Sequence, residues 1–109
     1  MGTAKVTFQR VPFETDGAWR SEIAIHGDEV QVWGIVLDIV HSALPRAESI
    51  LSHDERERAE RLISEEHRRR SMAAHAMLRV ILSRYCGASP HQLAIRRTSG
   101  GKPVLSDCP

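Results

Sequence analysis

A chain of 109 residues is long enough for one small domain, and its formal net charge of +1 does not favour general binding to nucleic acid or to anionic membranes. Hydrophobic residues make up 41% and charged residues 27%, as in an ordinary globular protein. No apolar run approaches the ~20 residues of a membrane span, and no secretory signal is recognisable. Two cysteines are too few for a disulfide framework, so reduced thiols and a cytoplasmic location are expected.

The first 29 residues carry little pattern apart from strand character at Val6–Phe8. We interpret residues 1–29 as a loosely structured leader and residues 30–109 as the folded domain. Val30–Asp38 starts with alternating apolar and polar residues and then becomes continuously apolar. This pattern predicts a strand that is covered on both faces at its end.

Two short helices are predicted next. The first is His41–Leu51, in which Pro45 lies in the first turn. Proline is tolerated there because the N–H that it lacks would have no partner within the helix. Ser52 followed by Glu55 forms a capping-box pattern, which predicts a second helix over about residues 53–62. Because the second helix is dense in charges of both signs, it is typical of a solvent-exposed face with i,i+4 ion pairs.

A long helix from Ser64 to Tyr85 is the main element of the chain. Ser64 is a good N-cap and Gly87 a good C-terminal stop. Six side chains form one apolar stripe at helical spacing: Ala74, Met77, Leu78, Ile81, Leu82 and Tyr85. The first turns carry the basic run His67–Arg70, with Ser71 and His75 one turn further on. The pattern predicts a core helix that also faces an anion.

The remaining residues predict a short turn at Pro90, a strand at Leu93–Arg97, a turn at residues 98–101 and a third strand that begins at Pro103. The order β-α-α-α-β-β indicates an α+β domain, with a small, mostly antiparallel sheet packed against the long helix and the shorter helices.

The residues alone identify no catalytic constellation. The His and Cys residues are scattered and give no four-ligand zinc pattern. Gly100-Gly-Lys-Pro is not a phosphate-binding P-loop. It would nevertheless suit a ligand, because Gly101 lets the backbone approach, Lys102 offers a point charge and Pro103 fixes the exit of the chain.

Three segments taken together resemble the 4′-phosphopantetheinyl transferases of the larger, surfactin-synthetase-activating type: residues 49–59, residues 71–85 and Gly101-Lys-Pro-Val-Leu. The resemblance covers about residues 30–105. It implies one half of a pseudo-dimer, in which coenzyme A and Mg²⁺ bind in the cleft between two similar α+β halves. The complete enzyme transfers phosphopantetheine from coenzyme A to a serine of an acyl or peptidyl carrier protein.

The resemblance also implies a set of coenzyme A-binding residues. The turn formed by Gly101, Lys102 and Pro103 would contact the adenine nucleotide. Side chains on the two preceding helices would hold the 3′-phosphate: Arg58, Arg70, Ser71 and His75. Glu55 departs from the family pattern, since some relatives place a basic residue there.

The metal-binding motif of the family, Gly-x-Asp-x-Glu, is missing from these residues. We therefore assign no catalytic residue and no metal ligand, and expect Mg²⁺ only if a second half is supplied. The chain is expected to be inactive alone, as a truncated product, a fragment or one part of a split enzyme.

Two further hypotheses concern partners. The apolar strand and helix stripe would leave a surface uncovered without a second half, which predicts a homo-oligomer. The alternative function is a helical protein-interaction module that binds no ligand. A nucleic-acid binder using Arg68–Arg70 and Arg96–Arg97 is disfavoured by the net charge.

Overall fold

A computed structural model describes residues 5–11, 27–35, 37–38 and 41–106. Its elements, in order, are β1 (Lys5–Val11), β2 (Glu29–Ile35), a 3-10 turn at His41–Ala43, α1 (Leu44–Ile50), α2 (His53–Glu60), α3 (Glu65–Cys86), a 3-10 turn at Pro90–Gln92, β3 (Ala94–Arg97) and β4 (Pro103–Ser106). The predicted α+β class is confirmed, with a long helix against shorter ones and small sheets.

The ends of α2 and α3 are set by the residues that the sequence indicates. Ser52 Oγ accepts a hydrogen bond from the Glu55 backbone N–H at 3.2 Å, and a Glu55 carboxylate oxygen accepts one from the Ser52 N–H at 2.9 Å. Ser64 caps α3 by accepting from the His67 N–H. Gly87 ends α3 in the left-handed region, with φ of 69°, which glycine adopts without a steric penalty.

The strands of the described residues form two separate pairs. β3 and β4 are antiparallel, with Ala94 opposite Ser106 and Arg97 opposite Pro103. β1 and β2 are parallel, from Lys5 opposite Glu29 to Val11 opposite Ile35. β1 thus lies within the predicted leader, of which residues 12–26 fall outside the described residues. The division of the chain at residue 29 stays a prediction.

The core lies where α1 and α2 pack on α3. Its buried apolar residues include Ala47, Ile50, Leu51, Ala59, Met72, Ala73, Ala76, Met77 and Val80. Leu51 and Met77 are the largest side chains buried almost completely. The three alanines of this group on α3 and α1 allow the helices to approach closely. At the end of α3, Cys86 is buried and disulfide-bonded, which corrects the expectation of a reduced thiol there.

The β1–β2 pair meets α3 at the Tyr85 hydroxyl and along an apolar groove. Trp33 Nε1 donates to the Tyr85 hydroxyl at 2.9 Å, their rings pack edge to face, and the Tyr85 hydroxyl donates to the Gln31 side chain. The groove has a volume of 570 Å³ and is lined by Gln31, Trp33, Ile35, Ala74, Leu78, Ile81, Leu82 and Tyr85. Part of the predicted apolar stripe of α3 therefore faces this groove rather than the helical core.

The opposite side of the β1–β2 pair is apolar and exposed. In the parallel register Val6 lies beside Val30 and Phe8 beside Val32, and alternate residues of a strand share one face. All four side chains are at least 41% exposed. We call Val6, Phe8, Val30 and Val32 the outer sheet face. Among the described residues no helix is long and apolar enough to cross a bilayer.

Candidate functional site

A cavity of 370 Å³ lies between α2, α3 and the β3–β4 hairpin. It is lined by Ser52, Asp54, Glu55, Arg58, His75, Leu78, Ile95, Arg96, Arg97 and Pro103, and we call it the hairpin cavity. Its volume is within the range of roughly 300–1,000 Å³ that is typical of small-molecule sites. Three residues predicted from the sequence, Arg58, His75 and Pro103, line it together.

A second cavity, of 550 Å³, lies among α1, α2 and α3. Its lining mixes both charges and includes His53, Glu57, Glu60, Arg68 and Arg69. Arg68 is already engaged, because it donates to the backbone carbonyls of Leu62 and Ile63 at 2.6 and 2.9 Å. Although this cavity is larger, it holds no predicted site residue and its charges oppose one another, so the hairpin cavity is the better candidate.

The positive charge of the hairpin cavity comes from two sides. Arg58 projects from α2, while Arg96 and Arg97 come from β3. Within the described ranges neither Arg58 nor Arg96 has a carboxylate partner, so both guanidinium groups are available to an anion. Guanidinium groups donate in a planar fork that matches phosphate oxygens. The arrangement offers such donors from both α2 and the hairpin.

Glu55 also lines this cavity, but its charge is compensated. Its carboxylate oxygen lies 2.6 Å from Arg79 Nε, and the Glu55 side chain is only 15% exposed. The same oxygen accepts from the Ser52 N–H. Glu55, the departure from the family pattern, is therefore a capping and ion-pairing residue in this chain, and its negative charge opposes an anion less than that of a free carboxylate would.

His75 is oriented by Ser71 one turn earlier on α3. Its Nδ1 lies 2.8 Å from the Ser71 backbone oxygen and 3.5 Å from the Ser71 hydroxyl. A carbonyl can only accept, so Nδ1 carries the hydrogen in this contact and the far nitrogen, Nε2, is left for another partner. Ser71 does not line the hairpin cavity itself; it acts here on the orientation of His75.

The turn at residues 98–101 shapes the hairpin. The Thr98 N–H donates to the Lys102 carbonyl at 2.8 Å, and the Gly101 N–H donates to the Thr98 carbonyl at 2.9 Å. Gly101 has φ of 85°, which favours glycine. The turn brings Pro103 to the cavity, whereas Gly101 and Lys102 are exposed and lie outside its lining. Their role as nucleotide contacts stays a prediction.

Arg70 lies outside the hairpin cavity. Its Nε donates to Asp38 at 3.1 Å, and a terminal nitrogen lies 3.3 Å from Glu66 on the preceding turn of α3. Two carboxylates therefore already compensate this guanidinium. Its predicted part in phosphate binding is not tested by these contacts, but a phosphate would have to compete with both of them.

Two arginines on β3 and one on α3 were missed as site residues. Arg96 and Arg97 line the cavity, and their adjacency to the Gly101 turn was the available signal. Arg79 is almost completely buried, at 2% exposure, beside the cavity. A charged residue within the apolar stripe of a long helix indicates a buried ion pair, since buried charges need partners.

No cluster of three or more His, Cys, Asp or Glu residues that could hold a metal ion occurs in the described part of the chain. Magnesium prefers oxygen ligands in octahedral geometry. The described residues do not fit the Mg²⁺ that the family resemblance implies, and no step through a metal is derived for them.

Comparisons with known proteins identify the family of the chain. A family model described as 4′-phosphopantetheinyl transferase, N-terminal, matches residues 40–108. The chain therefore belongs to the 4′-phosphopantetheinyl transferase family, as its N-terminal part, which confirms the family drawn from the sequence; the larger, surfactin-synthetase-activating type stays a prediction.

One curated relative is the 4′-phosphopantetheinyl transferase HetI of Nostoc sp. (strain PCC 7120 / SAG 25.82 / UTEX 2576). The chain is 42% identical to it over 85 residues, an alignment that covers 78% of this chain and 36% of HetI. The chain thus spans about a third of the length of that relative. No solved structure matches the chain.

Proposed function

We propose that this chain is the coenzyme A-binding N-terminal half of a 4′-phosphopantetheinyl transferase of the larger, pseudo-dimeric type. The complete enzyme would work in the cytoplasm and transfer phosphopantetheine from coenzyme A to a serine of an acyl or peptidyl carrier protein. The observation that carries the proposal is the hairpin cavity, in which Arg58, His75 and Pro103 meet two further arginines.

The lining holds three arginines and, besides the compensated Glu55, the carboxylate of Asp54; this balance favours a ligand with a compact anionic group. Arg58 and Arg96 come from opposite sides, and Glu55 is compensated by Arg79. Leu78 and Ile95 give the lining an apolar part, against which a planar base could pack. The 3′-phosphate and adenine of coenzyme A combine these two features. Lys102 is exposed next to Pro103, and we propose that it contacts a second phosphate of the ligand.

Binding should depend on the 3′-phosphate. Coenzyme A is expected to bind in the millimolar range or somewhat tighter, because only half of a cleft is present. Dephospho-coenzyme A should bind several-fold more weakly, since each charged contact to phosphate contributes about 1 kcal/mol. Titration by NMR, following the amides of residues 54–58 and 94–103, measures both dissociation constants.

Arg58→Ala should remove most of the preference for coenzyme A over dephospho-coenzyme A. Arg56→Ala is the matched control, since Arg56 is an exposed arginine on the same helix that lines the other cavity. The control should keep the preference. Equal affinity of the unmodified chain for the two ligands would show that the hairpin cavity is not the 3′-phosphate site.

Transfer of phosphopantetheine is not expected from these 109 residues alone. The sequence contains no Gly-x-Asp-x-Glu motif, and the reaction relies on a divalent cation to neutralise the pyrophosphate. The measurement is mass spectrometry of an apo-carrier protein after incubation with the chain, coenzyme A and Mg²⁺. A reproducible mass increase of one phosphopantetheine group would contradict this part of the proposal.

We further infer that the chain associates with a second copy of itself when no second half is present. The outer sheet face supports this, because four large apolar side chains lie exposed together on it, and a two-fold interface can cover such a face with its own copy.

Sedimentation equilibrium at micromolar concentration should show a dimer or larger oligomer. Val32→Lys should shift the population towards monomer, whereas Ile63→Lys, at an exposed residue of the α2–α3 connection, should not. A stable species of 12.2 kDa for the unmodified chain would rule out the association.

A further inference from the structure

The buried guanidinium of Arg79 contacts α2 and the segment that leads into β3, two parts of the chain beside the hairpin cavity. Arg79 itself lies on α3, next to Leu78, which lines the cavity. Its Nε donates to Glu55 on α2 at 2.6 Å. A terminal nitrogen donates to the carbonyls of Pro90 and Leu93, at 3.0 and 2.8 Å, directly before β3. One planar group thus joins α2, α3 and the start of the hairpin.

The joined elements are the ones that carry the cations of the cavity. Arg58 lies one turn after Glu55 on α2, and Arg96 lies three residues after Leu93 on the chain. Each of these cations is therefore within a few residues of a direct contact with Arg79. A change in the length or direction of the Arg79 contacts would alter the separation of Arg58 from Arg96, and with it the fit of a phosphate between them.

The position of Glu55 has a second consequence. Its carboxylate lines the cavity, and without Arg79 it would present an uncompensated negative charge beside Arg58. Like charge beside a bound phosphate weakens binding. Arg79 therefore keeps an acidic side chain compatible with an anion site, at the position where some relatives have a basic residue.

We propose that Arg79 is a positioning residue, which holds α2 and the β3–β4 hairpin at the separation that the 3′-phosphate of the substrate requires and neutralises Glu55. It is inaccessible to the ligand and acts through Arg58 and Arg96. This inference rests on the proposed function, because it concerns the same cavity.

The test replaces Arg79 with lysine, which retains the positive charge but not the planar set of N–H donors of the guanidinium group. A single ammonium group can stay near Glu55 or near the Pro90 and Leu93 carbonyls, and cannot keep the geometry of both. Arg79→Lys should bind coenzyme A about tenfold more weakly, with most of the preference over dephospho-coenzyme A lost. Amide hydrogen exchange in residues 54–58 and 94–97 should become about tenfold faster, while the middle of α3 changes less.

The matched control is Val80→Ala, which truncates a buried apolar side chain of the helical core on the next residue of α3. It should lower the melting temperature at least as much as Arg79→Lys and keep the ligand preference. Ligand binding and amide exchange of both variants are measured well below their melting temperatures. Should Arg79→Lys fail to fold, Glu55→Gln weakens the same contact from the other side and should speed amide exchange in residues 54–58 and 94–97; unchanged exchange would contradict the positioning role.

The outcomes separate the two proposals. If Arg79→Lys keeps the preference and the exchange pattern while Arg58→Ala loses the preference, the positioning role is wrong and the proposed function stands. If the unmodified chain shows no preference for coenzyme A, both fail. If Val80→Ala loses the preference to the same degree, the effect is general destabilisation and the positioning role is also wrong.

Discussion

Glu55→Ala is expected to lower the free energy of unfolding by about 3–5 kcal/mol, because it leaves Arg79 charged and buried without its carboxylate. Arg79 is 2% exposed, so water cannot replace the lost partner. The same change removes one half of the capping box at the start of α2. Since a domain of this size is stable by only about 5–15 kcal/mol, urea unfolding at low temperature is the suitable measurement.

The control is Glu57→Ala on the same helix. Among the described residues Glu57 pairs with His53 alone, at the surface, at 3.0 Å and with side-chain exposures of 47% and 79%. Exposed pairs contribute little, so this change should cost about 0.5 kcal/mol or less. Equal urea midpoints for the two variants would show that the buried Glu55–Arg79 pair contributes no more to stability than the exposed Glu57–His53 pair.

Met77→Ala is expected to cost about 2–5 kcal/mol of unfolding free energy, from lost apolar transfer and the cavity left behind. Met77 lies in the middle of α3, is completely buried and is among the largest side chains of the core. The helix itself should persist, since alanine is the best helix former. Thermal and urea unfolding followed by circular dichroism measure the loss.

Met77→Leu provides the comparison, because it conserves volume and should cost less than about 1.5 kcal/mol. A loss below about 1 kcal/mol for Met77→Ala would mean that the surrounding helices collapse into the space. That result would contradict a tightly packed centre of α3.

The helical part of the fold was predictable from local signals. Ser52 with Glu55, and Ser64 with Gly87, define helix ends by hydrogen bonds and backbone angles that act within a few residues. The hairpin was predictable for the same reason, since Gly101 takes the positive φ that the turn requires. The parallel pairing of β1 with β2 was not predictable, because it joins residues far apart and the leader carries only a weak pattern.

The candidate site was predictable only in part, because contacts between distant segments decide which of its residues meet. Resemblance placed Arg58, His75 and Pro103, and the structure brings these three together. Arg70 also carries the expected charge, but in the structure it is paired with Asp38. The two residues are 32 positions apart, so the sequence around Arg70 does not reveal this pairing. The partners of Arg79 come from α2 and from the segment before β3, so no spacing along the chain reveals them.

The parallel pairing of β1 and β2 has a consequence for the order of folding. Each β1 residue pairs with one 24 residues later, as Lys5 does with Glu29. The capped helices, by contrast, form through contacts between near neighbours. Closing a long loop costs entropy before any pairing contact repays it, so local structure forms first. We therefore expect the helices and the hairpin to form early and the β1–β2 pairing to form later. Until that pairing forms, the apolar side chains of β1 and β2 would be exposed to chaperones.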